Sequence, residues 1–394
     1  MISVRVQHSI ADVPAAEWDS LVGADDLQAS HRFVAVCERA RVADASYRHV
    51  LVYDGDALAA IASLCAMRVR LDLLATGAAR SVMRGIRRVI PRFLEVPVVF
   101  CGLPVSFGQS LIRTHPEADA AVVLAAIDGV AEEFAAGAGA PIICSKEHAD
   151  GELETLALLE RDGYQRFPSL PSCRLPISWA SFDEYVGAMR AGYRRQLRET
   201  LRARDRHGLC VRTSRNVEAE CARIVPLYEQ VMDHAEVQLE RLPPEFFTEL
   251  AREFADETSA LLVERDGDVI AAAVMLSSPR VATFLLAGID YTCHRPLHSY
   301  PILVTAVVAS AIEQGAEALE MGQTSWALKQ RLGAIPTARH LFVRARAPWL
   351  RTALRMAGGQ LFPETHLASR RVFTRTPQSS ILSTTALPAT AESR

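Results

Sequence analysis

The sequence predicts an α/β chain with a mixed α+β sheet, made twice from an internal repeat. Two observations carry this. The segments DGDALAAIASL (54–64) and DGDVIAAAVML (266–276) are identical at six of eleven positions, and each follows an apolar run, HVLVY or ALLVE. Asp-Gly between two such runs is a strong hairpin signal. The order of elements beyond the hairpin repeats too. VPVVFCG (96–102), AVVLAAIDGVAEEF (121–134) and PIICS (141–145) read as strand, amphipathic helix and strand. VATFLLAGI (281–289), YPILVTAVVASAIEQG (300–315) and ALEMG (318–322) repeat that order. A length of 394 residues accommodates two such units.

In chain order, MISVRVQHSI alternates like a first strand and lacks the apolar core of a signal peptide. Between hairpin and last strand the first copy spans 77 residues and the second 42. The excess forms an Arg-rich insertion at about 66–95. Within it, ARSVMRGIRRVIPRF (79–93) interleaves five arginines with Met83, Ile86, Val89, Ile90 and Phe93. This pattern reads as a solvated helix or as a peripheral contact with an anionic membrane or RNA. FPSLPSCRLPIS (167–178), with three prolines, reads as a linker or crossover strand. The expected division is therefore an N-terminal domain over 1–175, a C-terminal domain with the working cleft over 176–375, and a disordered tail over 376–394.

Composition narrows the function. The net charge of −3 gives no global attraction to nucleic acid or membrane, so any basic site is local. The eight cysteines form no CxxC pair, which points to reduced thiols in a cytoplasmic protein with no metal. No Walker motif, Ser-His-Asp order or HxxE-type spacing is evident.

Two stretches carry chemistry. In FDEYVGAMRAGYRRQLRETLRARDRHG (182–208), Phe182, Tyr185, Val186, Met189, Tyr193, Leu197 and Leu201 form one apolar stripe, with Gly208 as the stop. Arg190, Arg194, Arg198 and Arg202 run down its flank, joined by Arg195, Arg204 and Arg206. Guanidinium forks fit phosphate oxygens bidentately, which makes this a candidate phosphate-binding helix. In EALEMGQTSWALKQRLGA (317–334), a strand runs into Gly322, then Gln323, Thr324 and Ser325, then Lys329. Of 43 basic residues only Lys146 and Lys329 are lysine. A compact ammonium on a flexible stem suits a narrow slot better than a planar guanidinium. Lys146 follows the corresponding strand of the first copy and reads as a remnant of the duplication. Ser299 is placed as the N-cap of the helix carrying Pro301 in its first turn. Tyr300 is a candidate acid and His298 a candidate base.

These residues resemble the GNAT acyltransferase fold, and the tandem pair resembles its FemAB-type branch. The likeness is sharpest over 182–345, in the arginine helix and in the strand that ends in glycine before Lys-x-x-x-Gly. The resemblance implies amide formation on an amine acceptor, small molecule or peptide, with Lys329 as the catalytic lysine and Gly322, Gln323, Thr324 and Ser325 lining the acyl cleft. No cofactor would be resident. The co-substrate would be an aminoacyl-tRNA or an acyl-CoA. The glycine-rich pyrophosphate turn of acetyl-CoA enzymes is missing: HRPLHSYPILV (294–304) has no glycine, and HPEADAAVV (115–123) places acids there. This favours aminoacyl-tRNA. Arg194, Arg195, Arg198, Arg202 and Ser299 would then hold its phosphates. The rivals are an acyl-CoA-dependent N-acetyltransferase and a non-catalytic module that binds RNA or membrane.

Overall fold

A computed structural model describes residues 1–70, 95–105, 107–235, 240–365 and 367–375. The strands are β1 Ile2–Gln7, β2 Ser46–Asp54, β3 Ala57–Arg70, β4 Glu95–Cys101, β5 Ile112–Thr114, β6 Ile142–His148, β7 Gln165–Pro168, β8 Ser172–Pro176, β9 Cys210–Ser214, β10 Thr258–Arg265, β11 Asp268–Ser277, β12 Val281–Ile289, β13 Ala318–Gly322, β14 Ile335–Thr337 and β15 His340–Ala345. The helices are α1 Ala15–Asp19, α2 His31–Arg39, α3 Ala120–Gly137, α4 Leu153–Arg161, α5 Phe182–Ala188, α6 Ala191–Arg206, α7 Val217–His234, α8 Pro244–Glu253, α9 His294–Leu297, α10 Ser299–Glu313, α11 Trp326–Arg331 and α12 Pro348–Leu361.

The repeat is real in three dimensions. One sheet runs β1-β2-β3-β4-β6-β15-β7, with β5 also on β3, and the other runs β9-β10-β11-β12-β13-β8-β14. Both hairpins form where the Asp-Gly signals lie. Asp54 pairs with Ala57 around Gly55 (φ +61), and Arg265 pairs with Asp268 around Asp266 and Gly267 (φ +53 and +91). Position by position the two orders match, and each holds one parallel pair, β4 with β6 and β12 with β13.

The sixth strand of each sheet comes from outside its own half. β15 inserts between β6 and β7 of the first sheet, and β8 inserts between β13 and β14 of the second. The expected division at 175/176 therefore cuts inside β8 and assigns β15 to the wrong sheet. One further expectation changes. The insertion placed at about 66–95 is strand at both ends, with Ala66 on Val99 and Arg70 on Glu95. Its basic stretch 79–93 lies outside the described residues, as does the tail 376–394. Of the two readings of 167–178, linker or crossover strand, the strand holds: the segment contains the end of β7 and the whole of β8, which crosses to the second sheet.

Both faces of each sheet are covered, which is why the central strands read as nearly continuous apolar runs. Val50, Val52, Leu64 and Val99 pack under Val123, Leu124 and Ile127 of α3. Val263, Met275 and Phe284 pack under Ile302, Leu303 and Val307 of α10. The remaining faces share one core, where Phe33 of α2 meets Phe246 and Phe254 edge-on at 6.3 and 6.1 Å. Ion pairs rim this junction: Arg39 with Glu249 and Glu253, Arg32 with Glu257, and Arg280 with Asp25. Among the described residues no helix is long and apolar enough to cross a membrane.

Candidate active site

The site begins where a parallel pair gives up. Val281, Ala282 and Thr283 of β12 pair with Ala318, Leu319 and Glu320 of β13, and there the pairing ends. β12 continues to Ile289 against β11, while Gly322 at φ +72 turns β13 away. Nothing lies within 4 Å of where a Cβ on Gly322 would sit, so the left-handed backbone, not crowding, calls for glycine. The result is a splay between neighbouring strands.

Lys329 fills that splay. The 323–325 turn ends at Ser325, whose left-handed φ of +57 starts α11. Trp326 then anchors the helix by donating its indole N–H to the Pro171 carbonyl at 2.8 Å. This aims Lys329 inward, where its side chain is 2% exposed. Nζ donates to the carbonyl of Met321 on β13 and lies 5.9 Å from the ring centre of Phe284 on β12. Burial lowers the ammonium pKa to about 8, with the nearby Cys173 thiol opposing the shift. Burial likewise pushes Cys173 up to about 11, with Lys329 opposing. A surface lysine would show neither effect.

The other predicted residues sit at varied distances from this point. Tyr300, in the first turn of α10, is half-buried; burial raises its pKa while the Ser325 side chain opposes. His298 is exposed, at φ +54, and joins α9 directly to α10. Ser299 is not the N-cap. It is the first helical residue, fully buried, and its Oγ has no hydrogen-bond partner. The left-handed His298 takes the cap position without a side-chain cap bond. Gln323 turns away from the cleft and donates to the Leu170 carbonyl at 2.8 Å, pinning the strand entry. Thr324 and Ser325 are exposed at the mouth. Lys146 does not follow β6 but lies within it, buried and donating to the Val105 carbonyl at 3.0 Å.

The arginine helix is broken. Met189 and Arg190 are extended, so α5 and α6 are separate, and Gly208 at φ +61 closes α6 as expected. Arg202 and Arg206 pair with Glu199, and Arg204 pairs with Asp205. Arg194 donates to the Gly187 carbonyl at 3.2 Å. Arg190, Arg195 and Arg198 are exposed and have no ion-pair partner among the described residues. α6 packs against α10, the helix that also covers β12 and β13. Among the described residues no group of three His, Cys, Asp or Glu side chains is arranged to hold a metal. Sequence reasoning missed Cys173, Phe284 and the Met321 carbonyl, because β8, β12 and β13 come together around Lys329 only in the folded sheet.

Residues 188–330 match the model of the acetyltransferase (GNAT) domain, a span running from the α5–α6 break to α11. The chain is 26% identical over 264 residues to a putative 8-amino-7-oxononanoate synthase 2 of Mycobacterium tuberculosis, which covers 64% of this chain but 33% of that protein. The chain thus spans about a third of the length of the curated relatives it matches. Among solved structures, FemX superposes with a TM-score of 0.57 at 12% identity, covering 89% of this chain and 99% of that one. A tandem GNAT protein from the clavulanic acid biosynthesis pathway superposes at 0.54 and 14%, covering 88% and 99%. The C-terminal domain of a putative lysylphosphatidylglycerol synthetase from Agrobacterium fabrum reaches 0.50 at 13%, covering 92% and 100%.

Proposed function

We propose that the chain is a tandem GNAT-fold acyltransferase, FemAB-like in architecture, which forms an amide on an amine acceptor in the second-unit cleft, with Lys329 as the cation that receives the developing oxyanion. The observation that carries this reading is the buried Lys329 ammonium at the splay, with its pKa lowered to about 8. An amine attacking an acyl carbonyl makes a tetrahedral oxyanion, and a fixed donor in a dry site stabilises it strongly. One Nζ–H already points at the Met321 carbonyl, which orients the head and leaves two protons for the acyl oxygen.

In the step, a C–N bond forms and the bond from the acyl carbon to the donor oxygen or sulfur breaks. The amine loses a proton to a base or water, and the leaving group gains one. Tyr300 faces Ser325 beside the cleft and is our candidate donor of that second proton. His298, exposed at the mouth, is our candidate acceptor of the first. Because Lys329 is enclosed, the acyl group reaches it only when the 323–325 turn moves aside.

We favour an aminoacyl-tRNA donor, with Arg194, Arg195, Arg198 and Arg202 toward its phosphates. Support comes from α10, whose start is occupied by α9 and a left-handed histidine where a glycine-rich pyrophosphate turn would lie. The names of two structural neighbours, FemX and a lysylphosphatidylglycerol synthetase, fit an amine- or lipid-directed aminoacyl transfer. The second reading, an acyl-CoA donor, is favoured by the acetyltransferase domain match. Turnover of a small amine with acetyl-CoA and with charged tRNA, each for wild type and Lys329→Met, tests both. Fast turnover with acetyl-CoA alone removes the tRNA donor. Undiminished turnover by Lys329→Met removes the lysine.

A further inference from the structure

The segment 367–375 is a strap tying the Lys329 helix to the arginine helix. At one end Gln330, next to Lys329, donates its amide to the Ala368 carbonyl at 2.8 Å. At the other end the strap pairs with the α5–α6 break. Met189 bridges Phe373, Arg190 N–H donates to the Val372 carbonyl at 2.9 Å, and Thr374 N–H donates to the Ala188 carbonyl at 3.0 Å. Phe373 is the pin: it is buried against Trp179 at 4.6 Å, and a Cβ on Gly333 would sit 2.3 Å from its ring. A strap held this firmly fixes what it carries, and it carries Arg370, Arg371 and Arg375, all exposed.

This antiparallel register sets Arg371 and Arg370 alongside the start of α6, and Arg375 near Gly187, whose carbonyl also holds Arg194. Arg370, Arg371 and Arg375, like Arg190, Arg195 and Arg198, have no ion-pair partner among the described residues. The nearby acids are engaged: Glu199 with Arg202 and Arg206, Asp205 with Arg204, and Glu184 with the Ala180 N–H. The Ala180 N–H is neutral, so on α5 the two carboxylates Asp183 and Glu184 are left to oppose them. Six unpaired guanidiniums on two adjoining elements repel one another unless an anion lies among them.

We infer that the strap and α6 form one binding face for a single-stranded polynucleotide, and that Arg370, Arg371 and Arg375 are binding residues for it. This rests on the reading of the donor as an aminoacyl-tRNA. Extent argues for a strand over a compact pyrophosphate. Arg190 to Arg198 rise about 12 Å along α6, and the strap, bridged to it at Met189–Phe373, sets three more guanidiniums beside that helix. Composition argues against a lipid surface, which needs apolar side chains to insert. The large exposed apolar residues among the described ones are Met1, Ile2, Val4, Leu170, Ile335, Trp349 and Met356, none of them on α5, α6 or the strap. At its start the strap touches Gln330, the neighbour of Lys329, so the face is tied to the helix that carries that lysine.

The test is fluorescence anisotropy of the full chain with a labelled single-stranded RNA of about twelve nucleotides, across a salt series. Binding should strengthen steeply as salt falls. The variant Arg370→Ala/Arg371→Ala/Arg375→Ala should weaken it at least tenfold at about 100 mM salt and flatten the log–log slope by about 2, three contacts at about 0.7 each. The Gln triple variant, which keeps side-chain bulk, should behave the same way. Unchanged affinity and slope in both variants overturn the inference, as does a wild type that binds no RNA. Arginine-dependent binding to phosphatidylglycerol vesicles in place of RNA overturns it in favour of a lipid headgroup. Lys329→Met separates this from the acyltransferase reading. If that variant loses turnover but the strap variants bind RNA normally, the strap assignment falls and the catalytic one stands. If it turns over normally while the strap variants lose RNA, the reverse holds.

Discussion

The two units build the same cleft and treat it in opposite ways. In the first, β4 and β6 stay parallel over four pairs, from Val98 on Ile142 to Cys101 on Ser145. Lys146 lies in the strand itself, 5.6 Å from the ring centre of Phe100, with Nζ on the Val105 carbonyl. Gly102 backs onto its methylenes, where a Cβ would meet Cε at 3.0 Å. What remains there is a cavity of about 10 Å³ beside Gln28, Phe107 and Gln109, room for one water at most. The following helix, α3, is closed as well: the Asp119 carboxylate accepts from the N–H groups of Ala121 and Val122, leaving no place for a ligand anion. In the second unit the pairing stops after three residues, the lysine comes from a separate helix beyond a short turn, and α10 starts without a side-chain cap. Both lysines of the chain are buried under a phenylalanine of the parallel pair. One is built into the strand itself, and the other hangs on a short helix behind an exposed turn; both are enclosed. The difference teaches that the duplication kept the frame and a buried lysine in each copy, while the element that carries the lysine changed from a strand to a short helix beyond a turn.

The largest effect expected from breaking this comparison is on rate. Lys329→Met should cut turnover on the order of 100- to 1000-fold, the usual loss for one oxyanion donor. Lys146→Met should leave turnover within a few-fold of wild type while costing about 1–3 kcal/mol in urea melts, because the Val105 carbonyl loses a buried donor. Equal kinetic losses in the two variants would abolish the distinction between the copies.

Next in size is the pH dependence of stability. The folded Lys329 pKa is about 8 against an ordinary 10.5, so between those values the unfolded chain binds the extra proton. The stability of wild type relative to Lys329→Met should therefore rise from pH 8 upward. The total gain is as much as about 3 kcal/mol, at about 1.4 kcal/mol for each pH step between the two values. A flat difference across pH 7 to 9.5 would mean that burial does not hold the charge down. In the proposed mechanism the same titration sets the rate. The ammonium is the form that stabilises an oxyanion, so kcat/KM should fall as pH rises through about 8. A rate that climbs there instead would make neutral Lys329 a base.

The smallest effect sharpens the contrast between the two helix starts. Asp119→Ala should cost about 1 kcal/mol, the usual worth of an N-cap, with turnover unchanged. A change in the Michaelis constant for the donor would show that the first unit handles donor phosphate after all.

Much of this was legible in the sequence for local reasons. The Asp-Gly hairpins, β12 at 281–289 and β13 at 318–322 follow from turn chemistry and periodicity, which act over a few residues. The break at Met189 was hidden because the apolar stripe from Phe182 to Leu201 continues through it, and only pairing with the distant Phe373 pulls that backbone extended. Ser299 reads as a cap from its own chemistry, yet α9 delivers His298 left-handed and takes the position. Lys329 was singled out by residue type alone. Its burial, and hence its lowered pKa, depends on Phe284, Cys173 and Met321 arriving from three other strands, β12, β8 and β13.

The exchanged sixth strands have a consequence for how the chain is made. As the protein leaves the ribosome, β6 and β7 emerge with a gap between them that only β15 fills. At about 5–20 residues per second, that gap stays open for on the order of 10 to 40 seconds while the whole second half is synthesised. β8, by contrast, waits as a single unpaired strand for β13. During that interval two strand edges stand exposed to solvent and to neighbouring nascent chains, which is the situation that invites edge-to-edge pairing. The first half cannot finish folding before the second is complete, so the protein matures as one body, late, and depends on whatever shields those edges until residue 345 has cleared the exit tunnel.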